Sequence, residues 1–128
     1  MSSRFSDFDP GRVPSPCFVI DVAGVEENLR ILHQVQERSG AKVLAALKAF
    51  SCWRLGELTG RYLSGVCASG LHEARLGREH YGGQVHTYSA AFKESELAEL
   101  LALSDHLVFN SFSQWRRFRS MALAAQRR

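Results

Sequence analysis

Lys48 is the residue of this sequence whose type and position most directly suggest chemistry. It follows residues 43–47, an uninterrupted apolar run typical of a β-strand that is buried on both faces. Among apolar neighbours, beside the small Ala46 and Ala49, an ammonium group is disfavoured and more free amine exists. A free lysine amine attacks a carbonyl group to form a Schiff base. The alternative interpretation is a strand-end lysine that extends its ammonium into water.

Further polar side chains lie near the ends of the following predicted strands. Ser69 and Glu73 lie where one strand passes into a helix, so they either line an active site or stabilise the start of that helix, Ser69 as its N-cap. His86 and Tyr88 share a face of the next strand, and Asn110 ends the one after it. Each of these three side chains is a candidate for lining a pocket or for a purely structural hydrogen bond.

Cysteine and histidine spacing favours neither a disulfide framework nor a metal site. The three cysteines, Cys17, Cys52 and Cys67, form no CxxC motif, which favours a reducing cytoplasm, and we expect Cys52 and Cys67 to be small buried groups. The five histidines show no HExxH motif or paired ligand spacing, so we expect no bound metal.

Composition narrows the classes of protein further. The chain has 128 residues, of which 45% are hydrophobic, and this suits a packed globular domain. No apolar run approaches the roughly 18 residues of a membrane-spanning helix, and the polar N-terminus does not predict a secretory signal peptide. The net charge of +3 arises from five arginines near the carboxyl terminus, without which 11 basic and 13 acidic side chains remain. We therefore expect neither a nucleic acid nor a membrane as partner.

Short apolar runs alternate with helical patterns along the chain. The strands are predicted at residues 17–20, 43–47, 66–68, 85–88 and 107–109. The helices are predicted between these strands and after the last, marked by Asp21 and Gly40, Leu55 and Gly65, Ser69 and Gly82, Leu97 and Leu101, and Ser113 and Phe118.

This alternation predicts an α/β fold with a parallel sheet, because each return to a parallel strand needs a crossover helix. Four β/α units after the first helix make half of a (β/α)8 TIM-type barrel, which takes about 250 residues when complete. We therefore predict an irregular lead-in at residues 1–15 and the N-terminal part of such a barrel at residues 16–128. A small, self-sufficient α/β sheet is the alternative.

Several segments resemble one enzyme family. Residues 37–50, ERSGAKVLAALKAF, are similar to the pyridoxal-phosphate (PLP) lysine region of carboxynorspermidine/carboxyspermidine decarboxylases, which are alanine racemase-like PLP enzymes of fold type III. The resemblance continues in order through residues 62–69, 73–77, 85–89 and 104–111. It extends from about residue 14 to about residue 118, which is nearly the whole chain.

The resemblance implies a PLP-dependent carboxy-lyase of polyamine biosynthesis, with carboxynorspermidine or carboxyspermidine as substrate. Lys48 would be the catalytic lysine that binds PLP covalently, and Glu73 would help to set the charge around the cofactor. The phosphate site, the acid facing the pyridine nitrogen and a C-terminal β-domain come from later segments in this family. A cytoplasmic homodimer of the full-length enzyme is also implied, and the strand predicted around Phe18 would belong to the second domain.

Three other interpretations stay open at this point. The chain could come from a decarboxylase of another basic amino acid, of the diaminopimelate or ornithine type. It could instead be a non-catalytic PLP-binding or interaction module that keeps the lysine strand. A truncated gene product without function is a variant of that last interpretation.

Overall fold

Four parallel strands form the sheet in the computed structural model, which describes residues 8–125. They are β1 (Leu44–Ala46), β2 (Gly65–Ala68), β3 (Gln84–Ser89) and β4 (His106–Phe109). The strands lie side by side in chain order, and every neighbouring pair is parallel. The α/β fold with a parallel sheet, predicted from the alternation of strands and helices, is confirmed.

Five helices precede, connect and follow these strands in the described part of the chain. They are α1 (Val22–Ser39), α2 (Gly56–Gly60), α3 (Leu71–Leu76), α4 (Glu94–Leu103) and α5 (Phe112–Ala124). A 3-10 turn (Trp53–Leu55) leads into α2, and α3 continues as a π-helical turn (Gly77–Tyr81). Within residues 8–125, no helix combines the length and hydrophobicity needed to span a bilayer.

The ends of α1 follow the sequence signals closely. The Asp21 carboxylate accepts a hydrogen bond from the backbone N–H of Gly24 at 3.1 Å, as an N-cap does. Gly40 ends the helix with a φ of 70°, a left-handed conformation that favours glycine. Its N–H donates to the carbonyl of Gln36 at 2.8 Å. Both predicted boundaries of this helix are confirmed.

The strand predicted at residues 17–20 is wrong. This segment has no regular secondary structure and is exposed throughout, and Phe18 is 100% exposed. No strand of the described residues pairs with it, and an apolar run cannot form a strand without a hydrogen-bonding partner. Of the predicted lead-in, residues 1–7 lie outside the described part of the chain, and a short 3-10 turn (Pro10–Arg12) follows them.

Three helix boundaries also differ from the prediction. α2 ends at Gly60, whereas Gly65 is the first residue of β2. The N-cap of α3 is Gly70 instead of Ser69. The last helix is capped by Ser111, whose hydroxyl accepts from the Gln114 N–H at 3.2 Å, so it begins before the predicted Ser113. Nearby serines and glycines offer several compatible caps, and packing selects among them.

All five helices pack on the same face of the sheet. Alternate strand residues point toward them, and the side chains of Val66, Val85 and Thr87 are 0% exposed. They form the main core with residues of the last three helices, including Ala74, Leu97, Leu100 and Phe118. A smaller cluster of Leu29, Leu58 and Leu63 joins α1 and α2 to this layer.

The opposite face carries no covering layer in the described residues, and we call it the open face. Its side chains include Ala46, Cys67, His86, Tyr88, His106 and Val108, none of which belongs to either core cluster. Ala46, Cys67, His86 and His106 form one row, because each is the register partner of the next across the sheet. Tyr88 and Val108 pair in a second row, nearer the carboxyl ends of the strands.

Asp105 ties the starting ends of β3 and β4 together. Its carboxylate accepts from the Val85 N–H at 2.8 Å and from Arg78 Nη2 at 2.6 Å. Its own N–H donates to the Val85 carbonyl at 2.8 Å. These three hydrogen bonds set the relative position of β3 and β4, and the opposite ends of these strands carry Tyr88 and Asn110.

Candidate active site

The carboxyl ends of the four parallel strands meet at one edge of the sheet, which we call the carboxyl edge. Lys48 follows β1 at this edge, Ser69 follows β2 and Asn110 follows β4. Active sites of parallel α/β sheets and barrels lie outside the carboxyl ends of their strands. The structure therefore brings the predicted polar residues to the edge where a site is expected.

Lys48 lies in the turn at residues 47–49, directly after β1. The turn is closed by hydrogen bonds from the N–H groups of Ala49 and Phe50 to the Ala46 carbonyl, at 3.0 and 3.1 Å. The preceding Leu47 takes the buried position, at 1% exposure, and Lys48 is exposed. The expectation of an amine buried among apolar neighbours is therefore wrong, because strand alternation places Leu47 in the core and Lys48 outside it.

The Lys48 ammonium forms no ion pair or hydrogen bond with any residue between positions 8 and 125. By contrast, Lys42 at the other end of β1 donates from Nζ to Gln84 Oε1 at 3.1 Å. The side chain of Lys48 is thus available to a ligand, and this availability rests on the lack of a competing partner rather than on burial.

Glu73 lies in the first turn of α3 and is half-buried. Its Oε2 atom accepts a hydrogen bond from the backbone N–H of Ser69 at 2.7 Å. A carboxylate at this position satisfies an N–H group just before the helix and is favoured by the helix dipole. The helix-stabilising interpretation of Glu73 is confirmed, whereas Ser69 takes part through its backbone and not through its hydroxyl.

His86 stacks on His106 across β3 and β4, with ring centroids 4.2 Å apart and an interplanar angle of 31°. Burial lowers the pKa of His86, and the neighbouring His106 and Lys42 lower it further against an opposing contribution from Asp105. His86 Nε2 also lies 3.2 Å from Gln84 Oε1. Sequence reasoning does not find His106, since its proximity to His86 depends on the register of two strands.

Tyr88 and Asn110 join the ends of β3 and β4 on the open face. The Tyr88 hydroxyl donates to Asn110 Oδ1 at 2.8 Å. Tyr88 is 46% exposed and Asn110 is also exposed, so this pair faces solvent at the carboxyl edge. The predicted common face of His86 and Tyr88 is confirmed, and Asn110 joins them there.

Two of the cavities beside the sheet lie near Lys48 and near Asn110. One, of about 270 Å³, runs along β1 and is lined by apolar residues that include Ala46, Ala49 and Phe50. Tyr81 also lines it, with a buried hydroxyl that has no partner in the described residues, and burial raises the pKa of this phenol. The other cavity, of about 330 Å³, lies beyond β4 and is lined by Phe109, Asn110, Ser111, Phe112 and Trp115.

The cysteine side chains are less buried than predicted. Cys52 and Cys67 are half-buried rather than fully buried, and Cys17 is exposed. Within residues 8–125, no group of three or more histidine, cysteine or acidic side chains could hold a metal ion.

Within residues 8–125, a parallel α/β sheet carries a lysine without a partner at its carboxyl edge, which is the edge where α/β enzymes place their active sites. Comparison with known proteins identifies relatives of this chain. The chain is 44% identical over 110 residues to the carboxynorspermidine/carboxyspermidine decarboxylase of Herminiimonas arsenicoxydans, covering 86% of this chain. It is 41% identical over 109 residues to the enzyme of the same name from Campylobacter jejuni, covering 85% of this chain. The chain is homologous to these decarboxylases, which confirms the resemblance seen in the sequence.

Two further comparisons agree with this homology. A carboxyaminopropylagmatine decarboxylase from Synechocystis is 36% identical over 107 residues, covering 84% of this chain. The crystal structure of carboxynorspermidine decarboxylase complexed with norspermidine, from Campylobacter jejuni, superimposes with a TM-score of 0.84 at 40% identity over 87% of this chain. No protein-family profile matches the sequence.

The chain spans 28 to 30% of the length of these relatives. The described strands and helices therefore correspond to less than a third of a complete decarboxylase.

Proposed function

We propose that this chain forms the lysine-bearing part of a PLP-dependent carboxy-lyase that decarboxylates carboxynorspermidine and carboxyspermidine in polyamine biosynthesis. The observation that carries the proposal is the homology to two decarboxylases of that name, at 41 and 44% identity. The structural neighbour was crystallised as a complex with norspermidine, which supports a polyamine as product. The position of Lys48 at the carboxyl edge supports its role as the catalytic lysine.

We also propose that the sheet is part of a (β/α)8 barrel. In a doubly wound sheet the helices cover both faces, whereas in a barrel they all lie outside. The strand order β1-β2-β3-β4, with all five helices on one face, is that of successive barrel units. The open face would then point toward the barrel interior.

The residues on the open face fit PLP as a ligand. Lys48 offers an amine without a competing partner in the described residues, and the small side chains of Ala46 and Cys67 leave space for a flat ring beside it. When bound, PLP supplies the electron sink that makes loss of a carboxylate from an amino acid feasible.

Two residues of this chain have defined tasks in the proposed reaction. Lys48 holds the cofactor through Nζ at the end of β1, where the turn hydrogen bonds to Ala46 fix its backbone. Glu73 fixes the start of α3 through its bond to the Ser69 N–H, and it places a negative charge at the same edge, where we propose that it influences the cofactor. The first task is catalytic, and the second is electrostatic.

Borohydride reduction of the full-length protein in the presence of PLP tests this function. We expect a phosphopyridoxyl group on Lys48, and we expect Lys48→Ala to lower kcat by on the order of 10³-fold or more. Lys42→Ala is the matched control, because this lysine lies at the opposite end of β1 with its ammonium bound to Gln84. A label on a different lysine, or full turnover by Lys48→Ala, would contradict the proposal.

The Synechocystis relative favours a second candidate substrate, carboxyaminopropylagmatine. Its 36% identity is below the 44 and 41% of the other two relatives, so carboxynorspermidine and carboxyspermidine remain the first choice. Values of kcat/KM for the three compounds, measured side by side, decide between the two candidates. We further propose a cytoplasmic homodimer, supported by the three free cysteines and by the resemblance to fold type III decarboxylases.

A further inference from the structure

The hydrogen bond between Tyr88 and Asn110 has a direction that determines what the pair can bind. Tyr88 commits its only hydroxyl proton to Asn110 Oδ1, at 2.8 Å. The lone pairs of the Tyr88 oxygen then remain available to accept hydrogen bonds, and Asn110 Oδ1 keeps its second lone pair as an acceptor. These two neighbouring oxygens act only as acceptors, with the N–H groups of Asn110 on its Nδ2 atom, so the oxygens favour a ligand that is rich in N–H groups.

A cationic amine is the ligand class that these acceptors suit best. An alkylammonium group has three N–H donors and no acceptor, so it can bond to both oxygens at once. Hydrogen bonds to a charged group are also stronger than those between neutral groups. The exposed ring of Tyr88 adds an aromatic surface to which a cation is attracted. A carboxylate would meet lone pairs at these two oxygens and could bond only to Asn110 Nδ2, so it suits the pair less well than an ammonium group.

The position of the pair relative to Lys48 defines the shape of that ligand. Ala46 and His86 lie in the same register row and are separated by β2, which places them roughly 10 Å apart. Lys48 follows Ala46 in the turn after β1, and Tyr88 follows His86 near the end of β3, so the two side chains start from the carboxyl ends of strands that have β2 between them. A ligand that reaches both must be extended, with an amino acid group at one end and an amine at the other.

We propose that Tyr88 and Asn110 bind an ammonium group in the tail of the substrate and hold that tail extended across the open face. This inference rests on the proposed function and adds to it a subsite for the tail. Tyr88 and Asn110 contact the ammonium group in the same way in the ground state and in the transition state, because the carboxylate that is lost lies at the other end of the substrate. The pair therefore contributes uniform binding, which appears in KM and not in kcat.

Kinetics of full-length variants test the subsite. We expect Tyr88→Phe to raise KM for carboxynorspermidine and the inhibition constant of norspermidine by about 10-fold, because a hydrogen bond to a charged group is lost. The kcat should change by less than about twofold. Asn110→Asp adds a negative charge beside the ammonium and should lower both constants, an effect that a damaged fold cannot produce.

Tyr62→Phe is the matched control. Its hydroxyl donates to Glu26 Oε1 at 2.6 Å, on the helical side of the sheet, and this variant should leave both constants unchanged. Unchanged constants in Tyr88→Phe, or a fall in kcat at constant KM, would overturn the subsite. If the full-length protein neither turns over carboxynorspermidine nor carries the Lys48 label, the proposed function fails instead. Calorimetric titration of norspermidine into wild type and Tyr88→Phe still tests the subsite in that case, and equal affinities would overturn it.

Discussion

At the scale of single residues, His86 on the open face leads us to expect that the stability of the fold depends on pH. The pKa of His86 is lowered, first by burial and then by the adjacent His106. Since the pKa in the folded state lies below that of the unfolded chain, neutral His86 contributes stability that is complete above the unfolded value, near 6.5. This contribution is lost as the pH falls through the lower pKa of the folded state. We expect His86→Gln to flatten the fall in melting temperature on acidification from about pH 7.5.

His72→Gln is the control for that experiment, because His72 is exposed on α3, away from the stacked pair. This variant should keep the acid sensitivity of the wild type. Melting temperatures of the three proteins, recorded by circular dichroism between about pH 5 and pH 7.5, provide the comparison. An identical pH slope in wild type and His86→Gln would show that His86 does not carry the effect.

At the scale of elements, the contact between β2 and β3 depends on Gly65. Its φ is 156°, and a Cβ atom there would lie 2.0 Å from the Gln84 carbonyl oxygen. Backbone cannot move aside as a side chain tip can, so we expect Gly65→Ala to destabilise the fold by on the order of 3 kcal/mol. Gly40→Ala is the comparison, since Gly40 also has a positive φ but nothing within 4 Å of the added atom. Gly40→Ala should lower the free energy of unfolding by only about 1–2 kcal/mol, which is the cost of a left-handed conformation at a residue with a Cβ atom.

Urea unfolding of both glycine variants measures these costs. If Gly65→Ala were no more destabilising than Gly40→Ala, the close approach of β2 to β3 would not hold in solution. A larger cost for Gly65→Ala would show that register in this part of the sheet depends on backbone contact. That register in turn places His86 beside Cys67 on the open face.

At the scale of the whole molecule, the chain spans 28 to 30% of its relatives and leaves one face of its sheet uncovered in the described residues. Under the proposed function, the phosphate and pyridine contacts that the resemblance implies would come from segments outside this chain. We therefore expect the 128-residue chain alone to bind PLP at least about 10-fold more weakly than the full-length protein, since charge-assisted hydrogen bonds to the phosphate are missing.

Absorbance titration of PLP into the two proteins measures this difference. The Lys48→Ala form of the short chain serves as the reference for PLP bound at other amines. Tight, stoichiometric uptake by the short chain would mean that the described units already hold the complete cofactor site.

The sequence by itself determined the order of strands and helices, the parallel sheet and the place of Lys48 at the end of a strand. These features follow from the local periodicity of apolar residues. Alternation along a strand and three- or four-residue spacing along a helix indicate which side chains face the core. The tertiary structure decided the His86–His106 stack and the Tyr88–Asn110 bond, as well as the missing strand at residues 17–20 and the exposure of Lys48. Each of these features depends on which segments become neighbours in the folded chain. The local pattern of one segment does not specify which other segment packs beside it.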